Sequence, residues 1–427
     1  MKESFVVNGL AGERTLKGDI PVRGAKNDAL KILAASFLFK DTVEITNVPA
    51  IDDIGALSNL IQDLGSTVLR TDRGVAVTAP NDTSAKLDRT MAKKLRASVV
   101  LMGPILARYG KVSFPHPGGC VIGARPIDLF LRSFEKMGAS YSVDDEYYHI
   151  EASSGKLHGA DIFLDVASVG VTETVMMAAT LADGTTYIRN AAMEPEIQNL
   201  ANYLVKCGAS IEGIGTPTLV IRGGDVLESK GEEYHVIPDR IETGSFLILA
   251  ALAADEVRVT GCEPQHVRSL LSLLEQAGVN FTIESDAITV RKPSAPYKAV
   301  NIKTHEYPGF ATDLQAPMTV FLTQTDGESL VFETMFEGRL NYTQDLIKMG
   351  ADITMFDPHR VMVRGPHPLT GRELEGPDLR AGLAYVIAGI IARKKSTISS
   401  IGHIDRGYDR IEERLREIGV DIERISE

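Results

Sequence analysis

One short pattern recurs six times along this chain: an apolar-periodic helical stretch, a glycine, then a strand. The copies read LIQDLGSTV, SFEKMGASYSV, YLVKCGASIEG, LLEQAGVNFTI, LIKMGADITM and LREIGVDIER. Their glycines, Gly65, Gly138, Gly208, Gly278, Gly350 and Gly419, stand 69 to 73 residues apart. Each falls where a helix C-cap in the left-handed conformation is expected. Upstream of each glycine sits a strand (TVEITNV, KVSF, TTYIRNA, EVRVTGC, SLVFETM, STISSIG). Before that comes a second helix, rich in Ala or Met, opening with GAKNDALKILAA, LRASVVLMGPIL, VGVTETVMMAA, RIETGSFLILAA, ATDLQAPMTVFL and LRAGLAYVIAGI. The repeating unit is therefore helix–strand–helix–strand–strand.

These second helices are apolar all round, which predicts that they are buried with sheets outside them. A chain of 427 residues exceeds one ordinary core. Three repeats per lobe then give an α/β protein of two similar lobes, with buried helices and outer sheets. An open solenoid is the competing reading, although solenoid units are usually shorter and end in atypical caps.

Composition excludes several functions. The formal net charge of −12 argues against general nucleic-acid binding, which needs a basic surface. No apolar run is long enough to span a bilayer, and MKESFVVNGLAGERTLKGD lacks a signal-peptide core, so a cytoplasmic location without a membrane partner is expected. Cys120, Cys207 and Cys262 are too few and scattered for a disulfide framework. No metal-ligand spacing occurs, and no metal or cofactor is expected. GIGTPT, at residues 213–218, lacks the strand-then-helix context of a phosphate loop and reads as a turn.

Departures from the repeat point to function. From strand start to glycine, five repeats span 21 to 23 residues; the second, from Lys111 to Gly138, spans 27. The extra length lies in FPHPGGCVIGARPIDLF, around Cys120. A Gly-Gly pair in an enlarged loop suits a mobile lid bearing a thiol, and equally a longer turn with an incidental cysteine. Cys207 and Cys262 lie in a helix end and a turn and read as structural.

The starts of the apolar helices carry Lys26, Arg96, Ser168, Arg240, Asp313 and Arg380. Helix N-termini favour anions, so cations there suit a small polyanion. Asp313 is the odd carboxylate among them, open to reading as a helix cap or as a general base. Further charges cluster near the junctions: Arg339, Asp378, and Arg406 in the connection equivalent to the Cys120 loop. Arg410, Glu412, Glu413 and Arg414 read as a solvated face.

With these residues in view, the chain resembles the enolpyruvyl transferase family, in the branch of the UDP-N-acetylglucosamine 1-carboxyvinyltransferases. The resemblance runs from LKGDIPVRGAKNDALKILAA to HIDRGYDRIEERLREIG. It is most specific in PGGCVIGARPIDL, GAKNDAL, VIPDRIETG and HIDRGY. It implies an inverse α/β barrel-like fold of two discontinuous lobes, residues 26–237 and residues 1–25 with 238–427, and an active site in the cleft between them. The substrates implied are phosphoenolpyruvate and UDP-N-acetylglucosamine, joined in the first committed step of peptidoglycan synthesis with release of phosphate.

Residue by residue, the resemblance implies that Lys26 and Asn27 bind phosphoenolpyruvate. Arg96, Cys120 and Arg125 line its phosphate, and Arg339, Arg380 and Arg406 complete the anion site, with Asp378 beside them. Arg125, Pro126, Ile127, Asp128 and Leu129, with Ser168, Val169 and Gly170, resemble the nucleotide contacts, as does Met335. Asp313 corresponds to the residue facing the sugar 3-hydroxyl. Cys120, Asp313, Lys26 and Arg406 are the catalytic set, and fosfomycin is expected to alkylate Cys120. The chain departs from the pattern in an added His116, in Phe130 where a His is frequent, and in Val166 where a Lys is frequent. A shikimate-pathway enolpyruvyl transferase, which lacks the Pro-Gly-Gly-Cys loop, and a catalytically silent nucleotide-binding paralogue are the alternatives. The sequence leaves the oligomeric state open.

Overall fold

A helix with no polar face must be enclosed on every side, and six segments meet that condition. They are Lys26–Ala35, Met102–Tyr109, Val169–Thr180, Arg240–Ala253, Gln315–Leu322 and Leu379–Ile391, and nearly all their residues are buried. The computed structural model describes residues 3–116 and 127–426. Cys120, Arg125 and Pro126 lie outside the described residues.

The chain divides into two compact units, each with its own apolar core. One comprises residues 24–116 and 127–237 (the first unit); the other comprises residues 3–23 and 238–426 (the second unit). In the second unit the helices Arg240–Ala253, Gln315–Leu322 and Leu379–Ile391 pack on one another pairwise. In the first unit Met102–Tyr109 packs on Val169–Thr180 so closely that a Cβ on Gly103 would stand 2.2 Å from the Thr174 carbonyl oxygen.

Among the described residues the strands form six sheets, one per repeat. The three expected strands of a repeat pair antiparallel, with the third in the middle, as in Thr42–Thr46, Gly74–Thr78 and Thr67–Thr71. Five sheets add a short parallel edge strand that the sequence pattern did not predict: Leu16–Pro21, Asp161–Phe163, Glu233–His235, Ile302–Lys303 and Glu373–Glu375. Three of these have three residues with one buried side chain, too few for alternation to register. In the second repeat a single parallel bridge, Lys86 to Ser113, takes that place.

Two chain excursions close the units. Glu233–His235, at the end of the first unit, pairs with Thr42–Thr46 of the first repeat. The N-terminal strands do the same for the second unit. Glu3–Asn8 lies between Lys395–Ser399 and Ile422–Ser426, so the sixth repeat takes its middle strand from the opposite end of the chain. Leu16–Pro21 pairs with Ala254–Thr260 of the fourth repeat. Each set of three repeats therefore closes on itself, which overturns the solenoid reading. A solenoid stacks neighbours in sequence order, whereas here first and last repeats of each set are stitched together.

All six repeat glycines have positive φ, from +85° to +111°. Gly278 has no heavy atom within 4 Å of where a Cβ would stand, so it isolates the backbone requirement from packing. Gly278→Ala is expected to lower unfolding free energy by about 1 kcal/mol, and Gly278→Asn by less, in urea denaturation.

Candidate active site

The second unit places a carboxylate between two buried guanidinium groups. Asp313 lies in a short 3₁₀ turn, Thr312–Leu314, ahead of helix Gln315–Leu322. No side chain caps that turn, so the cap reading of Asp313 does not hold. Instead Arg339 Nη2 donates to its Oδ1 at 2.7 Å, and Arg380 Nε to its Oδ2 at 2.9 Å. Both arginine side chains are 5% exposed while Asp313 is 26% exposed, so the carboxylate is the part of the trio that meets solvent. Charge-assisted bonds to both oxygens fix its plane.

Each arginine is held from behind. Arg380 is the second residue of helix Leu379–Ile391, and its Nη1 donates to Tyr408 Oη at 2.9 Å. Asp378 is the N-cap of that helix, accepting from Arg380 N at 2.7 Å and Ala381 N at 3.1 Å. Arg339 Nη1 donates to Thr312 Oγ1 at 2.8 Å, and Thr312 donates in turn to Glu333 Oε2 at 2.7 Å. Glu333 Oε1 accepts from Met335 N at 2.9 Å. Glu333 is fully buried and organises both Met335 and the Asp313 turn, yet sequence reasoning missed it. It follows an apolar strand with no spacing signal of its own.

Arg406 is half-buried at the end of helix Gly402–Asp405, two residues before Tyr408. This turn packs on the start of helix Leu379–Ile391 because two glycines face it: a Cβ on Gly407 would stand 2.8 Å from Leu379, and one on Gly382 2.9 Å from Ile404. Arg406 is thereby brought to the same end of the helix as Arg380. Arg240 starts helix Arg240–Ala253, beneath an Asp239 cap that accepts from Ile241 N at 2.8 Å. Arg414 is not the solvated residue expected: its side chain is 4% exposed and its Nη2 lies 2.5 Å from Glu242 Oε1. Glu412 is also buried, against Arg424. One face of helix Ile411–Glu417 turns inward, which its dense charge disguises.

In the first unit Lys26 and Asn27 open helix Lys26–Ala35, and Lys26 Nζ lies 3.2 Å from Asp53 Oδ2. Arg96 starts a 3₁₀ stretch, Arg96–Leu101, rather than the α-helix expected; that stretch packs on helices Lys26–Ala35 and Val169–Thr180. Ser168 caps the latter helix, accepting from Val171 N at 3.4 Å, and Val169 and Gly170 form its first turn. Ile127, Asp128 and Leu129 begin helix Asp128–Lys136. Phe130 is 8% exposed, and a Cβ on Gly170 would stand 3.4 Å from its Cζ, so the ring locks segments 127–129 and 168–170 together. Val166 is exposed. His116 Nε2 pairs with the Asp144 carbonyl oxygen at 2.8 Å and its ring packs on Tyr148, which ties it to the hairpin turn.

Cys207 and Cys262 are free and buried, and burial pushes the Cys262 thiol up to about 11, as expected of structural thiols. Among the described residues no group of three or more His, Cys, Asp or Glu could hold a metal ion.

Comparison with known proteins places this arrangement. The fold is that of the enolpyruvyl transferases: the enolpyruvyl transferase NikO from Streptomyces tendae superposes with a TM-score of 0.87 at 22% identity, covering 100% of this chain and 99% of that one. An EPSP synthase from Acinetobacter baumannii superposes with a TM-score of 0.75 at 18% identity, covering 100% of both chains. The family description EPSP synthase (3-phosphoshikimate 1-carboxyvinyltransferase) matches residues 10–415. A UDP-N-acetylglucosamine 1-carboxyvinyltransferase 1 from Caldanaerobacter subterraneus subsp. tengcongensis is 44% identical over 99% of this chain and 100% of its own length. A UDP-N-acetylglucosamine 1-carboxyvinyltransferase from Shewanella piezotolerans is 42% identical over 96% of this chain and 97% of its own. The chain belongs to the enolpyruvyl transferase family, among the UDP-N-acetylglucosamine 1-carboxyvinyltransferases.

Replacing Asp313 by Ala leaves two buried guanidinium groups without their shared counter-charge. Asp313→Ala is expected to cost about 3 kcal/mol of unfolding free energy in the ligand-free protein, read by urea denaturation.

Proposed function

We propose that this protein transfers the enolpyruvyl group of phosphoenolpyruvate to the 3-hydroxyl of UDP-N-acetylglucosamine, releasing phosphate, as the first committed step of peptidoglycan synthesis. The observation that carries the reading is the Arg339–Asp313–Arg380 trio, a base candidate held by two guanidinium groups, in a chain of this family. Cytoplasmic location belongs to the same reading. Among the described residues no helix is long and apolar enough to cross a membrane.

The chemistry is addition followed by elimination. The sugar hydroxyl oxygen bonds to C2 of phosphoenolpyruvate, its proton passes to Asp313, and C3 takes a proton, for which Cys120 is the donor. A C3 proton then passes back to the Cys120 thiolate as the C2–O bond to phosphate breaks, restoring the double bond and releasing phosphate. Charge grows on the carboxylate and phosphate during these steps, and preorganised cations stabilise it in a site shielded from water. Lys26, Asn27, Arg96, Arg125, Arg339, Arg380 and Arg406 are the groups proposed for it.

The trio supplies a way to activate Asp313. A carboxylate paired with two arginines is a weak base, and it takes a proton more readily once one of them is released. An incoming substrate anion competes for the same guanidinium groups, so binding it loosens Asp313. The base becomes available when there is something to deprotonate. Ile127, Asp128, Leu129, Ser168, Val169 and Gly170 are assigned to the nucleotide, with Met335 as an apolar contact.

Mixing protein, phosphoenolpyruvate and UDP-N-acetylglucosamine is expected to release phosphate and to add one enolpyruvyl group to the sugar nucleotide by mass spectrometry. Release with shikimate 3-phosphate in its place, or no release with either acceptor, would refute the reading. Asp313→Asn is expected to lower kcat by about 10²–10⁴-fold, the usual worth of a positioned base. Fosfomycin is expected to add covalently at Cys120; an unmodified Cys120 with activity retained counts against its assigned role.

A further inference from the structure

The helix that begins with Lys26 and Asn27 carries buried charge that the reaction above does not use. Asp28 is 0% exposed, in the first turn of that helix. Asn199 Nδ2 donates to its Oδ2 at 2.8 Å and Ile237 N at 2.9 Å, and Tyr234 Oη donates to Oδ1. One turn further on, Lys31 Nζ lies 2.6 Å from Oε2 of Glu173, which is fully buried on helix Val169–Thr180. Three separate elements thus hold two successive turns: strand Glu233–His235 with the segment after it, helix Pro195–Lys206, and helix Val169–Thr180.

Desolvating a carboxylate and an ammonium costs free energy that apolar residues at 28 and 31 would avoid. What charged groups add is direction. Apolar contacts tolerate small rotations and slides of a helix, whereas three hydrogen bonds converging on one carboxylate do not. The backbone fixed in this way is that of residues 26–28, which presents Lys26 and Asn27.

We propose that Asp28 is a positioning residue for enolpyruvyl transfer: anchored to Tyr234, Asn199 and Ile237, it sets where Lys26 and Asn27 meet phosphoenolpyruvate. This rests on the assignment of Lys26 and Asn27 given above. The ionised carboxylate is the form that fits, because Asn199 Nδ2 and Ile237 N, the two groups on Oδ2, only donate. A protonated Asp28 has to turn Tyr234 from donor to acceptor, which rearranges the anchor. Burial raises the Asp28 carboxyl to about 7; the bonds from Tyr234, Ile237 and Asn199 oppose the rise, and Glu196 adds to it. The charged and titratable groups around it are Lys31 on its own helix, Glu173 on Val169–Thr180, Glu194 and Glu196 at the start of Pro195–Lys206, and Tyr234. Burial likewise raises Glu173 to about 7, with Lys31 opposing.

The sign for stability follows. Both carboxyls keep in the folded state a proton that the unfolded chain gives up at ordinary carboxylate pH. Their contribution therefore falls as pH rises from that range to about 7, and is level above it. Activity runs the other way, since the anchor is complete only when Asp28 is ionised.

The test is phosphate release by the full-length protein, with each substrate varied in turn across neutral pH, for wild type, Asp28→Asn and Tyr234→Phe. Wild-type kcat/KM for phosphoenolpyruvate is expected to rise with pH through about 7. Asp28→Asn keeps the shape but not the charge. It is expected to lack that rise and to lose roughly tenfold in kcat/KM for phosphoenolpyruvate above neutrality, with KM for UDP-N-acetylglucosamine within about twofold. Tyr234→Phe removes one donor to the carboxylate and is expected to move the rise to higher pH. Wild-type pH profiles in both variants overturn the proposal, as does an equal loss toward both substrates with a lowered Tm, which marks a structural role. A wild type that releases no phosphate overturns the functional reading, and the proposal with it.

Discussion

Everything in this structure follows from helices that have no polar side to show to water. A helix such as Leu379–Ile391, buried along its length, gains stability only if surrounded, and one sheet covers one face. Three such helices packed together with three sheets outside satisfy the requirement. A ring of three has no natural end, however, so its first and last members must be joined by chain from elsewhere. Glu233–His235 does this for one unit, and Glu3–Asn8 with Leu16–Pro21 for the other. The discontinuity of the second unit is thus a consequence of closure: the N-terminal strands are the missing pieces of its sixth and fourth repeats.

The same architecture sets where chemistry is located. When the apolar helices are buried along their length, their first turns are what remain available for polar work. Lys26, Ser168, Arg240 and Arg380 sit at or next to those starts, and Asp313 just ahead of one. In the second unit that placement yields a carboxylate gripped by two arginines, with Tyr408, Thr312 and Glu333 bracing them. Bracing matters because a guanidinium group fixed in advance does not have to reorganise when charge develops beside it. In the first unit, buried polar groups at Asp28, Lys31 and Glu173 fix a helix start in a comparable way.

The fold was legible to the extent that periodicity carried it. Six glycines at near-equal spacing marked six helix ends, and all six adopt the left-handed backbone. The short parallel edge strands escaped notice because a three-residue strand with one buried side chain has no period to detect. Glu333 was missed for a related reason: it acts through what it touches, and a lone glutamate after a strand gives no signal. Arg414 and Glu412 were misread as solvated because their charge outweighed the apolar stripe of a short helix.

The sequence by itself determined the repeat, the burial of its helices and the residue types at their starts, since all three are encoded in local spacing and composition. Tertiary structure decided which distant residues share a carboxylate. Asp313 meets Arg339 and Arg380, 26 and 67 residues away, and Asp28 meets Asn199 and Tyr234, 171 and 206 residues away. No local pattern specifies such meetings, because they arise only when closure of the ring brings separate elements to the same helix start.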